Sequence, residues 1–112
     1  MVFCEAAAHA LPVVATHTGG IPSLVRNGRN GFTVPHEGRG EAYAKTIAGM
    51  VADPGAYEIL CTTSRDEFER RLNWDSWGRA AAAAIVQALP HLEGRVGTVQ
   101  QIADPESVTE RA

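Results

Sequence analysis

With 112 residues, 45% of them apolar and 21% charged, the chain has the composition of one globular domain with a modest core. A formal net charge of −3 without a Lys/Arg cluster argues against nucleic acid or an anionic membrane as partner. No apolar run reaches the roughly 18 residues that a spanning helix needs, and the opening apolar stretch has no basic leader of the kind a signal peptide carries.

Val2 to Ala10 is rich in alanine and is expected to be a helix. Leu11-Pro12 ends it, because proline disfavours helical backbone at the residue before it. Pro12-Val13-Val14-Ala15-Thr16 is a short apolar run with β-branched residues, the pattern of a strand covered on both faces. Gly19-Gly20 breaks the chain, and Pro22 fits the first turn of a short helix from Ile21 to Arg26. Asn27-Gly28-Arg29-Asn30-Gly31 is a turn by composition. Phe32-Thr33-Val34 reads as a second strand, closed by Pro35.

From there the pattern is helical to about residue 90. Ala44, Ile47, Ala48 and Val51 recur at helical spacing up to Asp53-Pro54. Tyr57, Cys61, Ser64, Phe68 and Leu72 sketch a stripe on the next helix, whose Arg65, Asp66, Glu67, Glu69, Arg70 and Arg71 are expected to face water. Asn73 is the expected N-cap of a last helix. Its apolar face is Trp77, Ala81, Ala84, Ile85, Ala88 and Leu89, and Pro90 ends it. Residues 91–112 are polar and weakly patterned, and are expected to form a flexible tail.

Strands alternating with helices imply an α/β class with a parallel sheet. Two short strands are few for such a sheet, which usually has about four to six. The expectation is therefore a portion of a larger fold. His9, His17, His36 and His91 are scattered, and Cys4 and Cys61 lack metal-ligand spacing, so no metal or cofactor site is expected. The two cysteines read as reduced thiols of a cytoplasmic protein.

The stretch CEAAAHALPVVATHTGGIPSLVRNGRNGFTVP resembles the C-terminal domain of family 4 retaining glycosyltransferases, which have the GT-B architecture of two Rossmann-like domains facing across a cleft. The family pattern is E-A-x-A-x-G-x-P-V-V-A-T-x-x-G-G-x-P-E-x-V, followed by an N-G-x-x-G-like turn, a strand and a proline. Glu5, Ala6, Ala8, Pro12 to Thr16, Gly19, Gly20, Pro22 and Val25 match as they stand, and Asn27-Gly28 and Asn30-Gly31-Phe32 match the turn. Ala10 stands where the family usually has Gly, and Ser23 where it often has Glu or Asp. Downstream, Asn73-Trp74-Asp75 resembles the Ser-Trp pair that opens the family's last helix.

The resemblance implies that residues 1–90 are part of a C-terminal, nucleotide-sugar donor-binding domain. Such enzymes transfer a sugar from a nucleoside diphosphate to an acceptor hydroxyl without a metal. Two glutamates of the family are separated by seven residues, in the pattern E-x7-E. Glu5 matches the second, which accepts hydrogen bonds from the ribose hydroxyls. That role suits an ionised carboxylate, which only accepts, facing two hydroxyl donors. The first glutamate would fall before Met1, so Met1 is expected to be an internal methionine of a longer ancestral frame. Met1 and Val2 match the last positions of a turn whose backbone N–H groups hold the sugar diphosphate. Lacking the N-terminal domain, the chain is expected to be an inactive fragment that pairs with the missing domain or with itself, because transfer needs a closed site.

Without the family, Glu5 reads as a solvated acid in a first helical turn. Gly19-Gly20 reads as a strand-to-helix loop, Trp74 and Trp77 as packing residues, and His17 has no assigned role. The competing function is a small non-catalytic module that associates through an exposed sheet edge and a helix face.

Overall fold

The computed structural model describes residues 1–90, and the tail expected at 91–112 lies outside the described residues. In chain order the elements are α1 (Val2–Ala8), β1 (Val13–Thr16), α2 (Ile21–Leu24), β2 (Gly31–Val34), a 3-10 turn (His36–Gly38), α3 (Arg39–Val51), α4 (Pro54–Arg71) and α5 (Trp74–Ala88). The architecture is α/β, with β1 and β2 paired in parallel from Val13 opposite Gly31 to Thr16 opposite Val34. The chain divides into two compact units, Met1–Leu72 and a second beginning at Asn73.

In the first unit, α1 stops two residues before its alanine content would suggest. Leu11 N–H donates to Ala6 O at 2.9 Å and Ala10 N–H to Ala7 O at 3.0 Å. This crossed pair is a Schellman stop, and it places Ala10 at a φ of 57°. A Cβ in that left-handed conformation costs about 1–2 kcal/mol, a cost that a glycine at this position would not carry. At the start of β2 the requirement is stricter. Gly31 has a φ of 151°, and a Cβ there would lie 1.9 Å from Val13 O.

Helix α2 is also shorter than expected, because its carbonyls are claimed from outside. Arg71 donates to Ser23 O at 2.8 Å and to Leu24 O at 2.9 Å. Asn30 Nδ2 donates to Leu24 O at 2.9 Å, while its Oδ1 accepts Arg26 N–H at 2.7 Å. The chain leaves α2 extended at Val25, which is buried.

The core of this unit is small: Ala7, Ala15, Val25, Val34, Leu60 and Leu72, with Asn30, Ser64 and Glu67 buried among them. Every buried side-chain nitrogen and oxygen among the described residues has a partner, as burial requires. Helix α4 begins on Asp53, whose Oδ1 accepts from Gly55 and Ala56 N–H at 2.9 and 3.2 Å. Of its expected stripe, Ser64 and Leu72 are buried, while Tyr57, Cys61 and Phe68 are half-buried.

Two expectations are corrected here. Glu67 does not face water but is 2% exposed. Arg29 reaches its Oε1 at 3.1 and 3.2 Å, Arg26 lies 3.5 Å from Oε2, and Arg71 binds Oε2 from one turn along the helix. Burial alone would raise the Glu67 pKa. Hydrogen bonds from Arg71 and Arg29, with the charges of Arg71 and Arg26, hold it below its ordinary value. On α3, the face of Ala44, Ile47, Ala48 and Val51 is exposed. The helix packs through half-buried Ala42, Tyr43, Thr46 and Met50 against the sheet and α4.

The second unit holds α5, capped as expected by Asn73, whose Oδ1 accepts Ser76 N–H at 2.8 Å. Trp74 and Trp77 are exposed, and their rings meet edge to face at 5.8 Å and 84°. Ile85 and Leu89 are exposed as well. The tryptophans expected to be packing residues pack on one another while their outer faces are exposed.

Candidate functional site

A four-residue connection, His9 to Pro12, returns the chain from α1 into β1, and the two elements pack together. So short a reversal makes α1 run against β1, which puts the N-terminal turn of α1 toward the C-terminal ends of the parallel strands. In open α/β sheets that is the edge where ligands sit.

Glu5 lies in this first turn and is exposed. No hydrogen bond or ion pair engages its carboxylate among the described residues, in contrast to Glu67. Met1 is the N-cap residue and makes no side-chain cap bond. Met1 and Val2 are 68% and 71% exposed. The structure thus places the three sequence-derived site residues together on one short helical turn. The other end of α1 is anchored on α4. Ser64 Oγ donates to Leu11 O at 3.2 Å, and the Arg65 guanidinium donates to Ala8 O.

The ends of the two strands bring together residues the sequence left separate. His17 continues the parallel ladder, its N–H donating to Val34 O at 2.8 Å. Its Nδ1 lies 3.0 Å from Thr33 Oγ1. Thr33 in turn donates twice to Asn27 Oδ1, from N–H at 2.8 Å and from Oγ1 at 3.3 Å. With Pro35, His36 and Glu37 of the following 3-10 turn, His17 and Thr33 line an open depression of about 380 Å³. Nearby, the Thr16 and Tyr43 hydroxyls are hydrogen-bonded. Sequence reasoning missed this cluster, since only the strand register reveals that His17 and Thr33 are neighbours. No group of three or more His, Cys, Asp or Glu side chains among the described residues converges in a way that could hold a metal ion.

Residues 1–53 match the sequence profile of a family described as glycosyl transferases group 1. A D-inositol 3-phosphate glycosyltransferase of Streptomyces bingchenggensis is 34% identical over 89 residues, 80% of this chain and 19% of the relative. Spore coat protein SA of Bacillus subtilis is 30% identical over 73 residues, 65% of this chain and 19% of that protein. An alpha-maltose-1-phosphate synthase of Mycolicibacterium smegmatis is 34% identical over 79 residues, 66% of this chain and 20% of the synthase. The aligned region thus spans about one-fifth of the length of these curated relatives. No solved structure matches the chain. No helix among the described residues is long and apolar enough to cross a membrane.

Proposed function

Since the match over residues 1–53 and the named relatives support a glycosyltransferase of the GT-B kind, we propose that this chain is the ribose-contacting portion of a family 4 nucleotide-sugar donor domain. The α/β architecture with its two-strand parallel sheet is consistent with a Rossmann-like C-terminal portion of that fold. The reaction it serves moves a sugar from a nucleoside diphosphate to an acceptor hydroxyl. The bond from the anomeric carbon to phosphate oxygen breaks, a bond to the acceptor oxygen forms with retention, and the acceptor proton leaves with the diphosphate.

One observation carries this reading. Glu5 stands exposed and unpaired among the described residues, on the first turn of α1. Its two oxygens are free to accept from vicinal ribose hydroxyls. Met1 and Val2, beside it, present the backbone turn to the diphosphate. A cytoplasmic setting is part of the proposal, supported by the free thiols of Cys4 and Cys61.

The proposal includes catalytic inactivity of these residues on their own. Transfer needs a second wall that excludes water and positions the acceptor, whereas the Glu5 turn is open to solvent. The purified chain is therefore expected to transfer no sugar from a radiolabelled nucleoside-diphosphate sugar. Substituted for the matching segment of the Streptomyces relative, residues 1–90 are expected to restore transfer, and Glu5→Ala is expected to abolish most of it. Turnover unaffected by Glu5→Ala in an active chimaera would remove the ribose role.

A second reading, self-association, is favoured by the sheet edges. On β2 the outward Thr33 N–H is taken by Asn27 and the outward Gly31 O by Gly28 N–H. On β1 the ladder to β2 uses Val13 and His17, so Val14 and Thr16 turn their N–H groups to the opposite side. That edge is open to a further strand. Val14→Pro removes one outward donor without touching the β1–β2 ladder. A loss of dimer on size-exclusion chromatography with light scattering would support this reading, and a monomer in both forms would end it.

A further inference from the structure

We propose that the strand-end depression is a monosaccharide-binding subsite in which His17 Nε2 accepts a hydrogen bond from a sugar hydroxyl. Hydrogen-bond donors and acceptors in the cluster support this step by step. Thr33 N–H can only donate, so the Asn27 atom 2.8 Å away is its carbonyl oxygen. An amide oxygen only accepts, so the Thr33 hydroxyl, 3.3 Å away, can place its single proton on Asn27 Oδ1. Of the two arrangements this geometry allows, we take the one in which the Thr33 hydroxyl proton lies on Asn27 Oδ1 and His17 Nδ1, 3.0 Å away, donates to Thr33 Oγ1. In its neutral form that imidazole has a bare Nε2. In that arrangement the backbone amide of Thr33, through Asn27 and the Thr33 hydroxyl, favours one tautomer of an exposed histidine at the C-terminal end of β1.

The rest of the lining selects the ligand class. Glu37 adds a second acceptor and disfavours an anion, which argues against free phosphate. Pro35 offers an apolar ring against which the C–H face of a pyranose can lie. A divalent cation is disfavoured, because no three ligating side chains converge among the described residues. At about 380 Å³ the depression falls within the roughly 300–1,000 Å³ of small-molecule sites. It also lies at the sheet edge where such sites occur. A neutral ligand rich in vicinal hydroxyls meets these conditions.

This subsite does not depend on the role given to Glu5, and its test is separate. Imidazole ¹⁵N–¹H correlation spectra of the labelled chain are recorded while methyl α-D-glucopyranoside is added, with inorganic phosphate as a second probe. The free protein is expected to show His17 protonated at Nδ1. The glycoside is expected to shift His17 Nε2 and the Thr33 amide. The shift is lost in His17→Ala, and in Thr33→Val the His17 tautomer becomes mixed and the response at least several-fold weaker. Glu5→Ala leaves the titration unchanged. UDP-glucose separates the two sources of the sugar: a shift with it but not with UDP assigns the donor's sugar, and a shift with the glycoside alone assigns an acceptor. An Nε2-protonated His17, a response to phosphate equal to that to the glycoside, or a glycoside response that survives His17→Ala would overturn the proposal.

Discussion

Replacing Glu67 by alanine tests whether a buried acid, rather than the sparse apolar core, locks the first unit together. The Glu67 carboxylate is 3% exposed and holds three arginines, two of which come from the α2–β2 connection. Removing one member of a buried ion pair costs about 3–5 kcal/mol, because its partners keep their charge without compensation. Here the partners are 57%, 45% and 22% exposed, so Arg26 and Arg29 regain water readily and the lower figure applies. A loss of about 3 kcal/mol is a large part of the roughly 5–10 kcal/mol available to a domain of this size. With a urea slope of about 1.5 kcal/mol/M, the unfolding midpoint should fall by about 2 M. Far-UV circular dichroism in urea reads this directly. Asp66→Ala, at the exposed margin of the same cluster, should cost only about 0.5 kcal/mol. Equal midpoint losses for the two variants would refute the special place given to Glu67.

Further outcomes follow from the same structure. Because the folded-state pKa of Glu67 is lowered, its stabilisation is complete above the ordinary carboxylate range and disappears as pH falls through the lower folded-state value. The urea midpoint of the native chain should therefore drop from about pH 5 to pH 3 more steeply than that of Glu67→Gln. Ala10→Gly relieves about 1–2 kcal/mol of left-handed strain and loses about 0.4–1 kcal/mol to unfolded-state freedom. A net gain of about 0.5–1 kcal/mol should raise Tm by roughly 2–6 °C, measurable by calorimetry. Gly31→Ala drives a Cβ onto Val13 O and should abolish cooperative unfolding.

Local chemistry was legible in the residues. Val13 to Thr16 and Phe32 to Val34 declared themselves as strands because β-branched, apolar runs bounded by turns have few alternatives. Asn73 declared itself as a cap through a side-chain oxygen ahead of a helical pattern. What depended on distant partners was not legible. Glu67 looks like one charge in a solvated run, and only the fold brings Arg26 and Arg29 to it from about forty residues away. Helix α3 misled through its larger apolar residues, whereas small and half-polar ones, Ala42, Tyr43 and Thr46, fit against the sheet. The stop of α1 was hidden by an alanine holding a glycine's conformation. Among the candidate site residues, Glu5 is proposed from the order and spacing of the residues around it. His17 was left without a role because its partner Thr33 is defined by strand register.

The central claim is that Glu5 receives the donor ribose. A double-substitution cycle in the chimaeric transferase tests it most directly, pairing Glu5→Ala with a 2′,3′-dideoxyribose donor. Two hydrogen bonds to a charged acceptor are worth roughly 2–3 kcal/mol once desolvation is included, so each change alone should lower kcat/KM about 100-fold. Since both remove the same contact, together they should lower it little further. Two losses that multiply would contradict the assignment, because Glu5 would then act somewhere other than on the ribose.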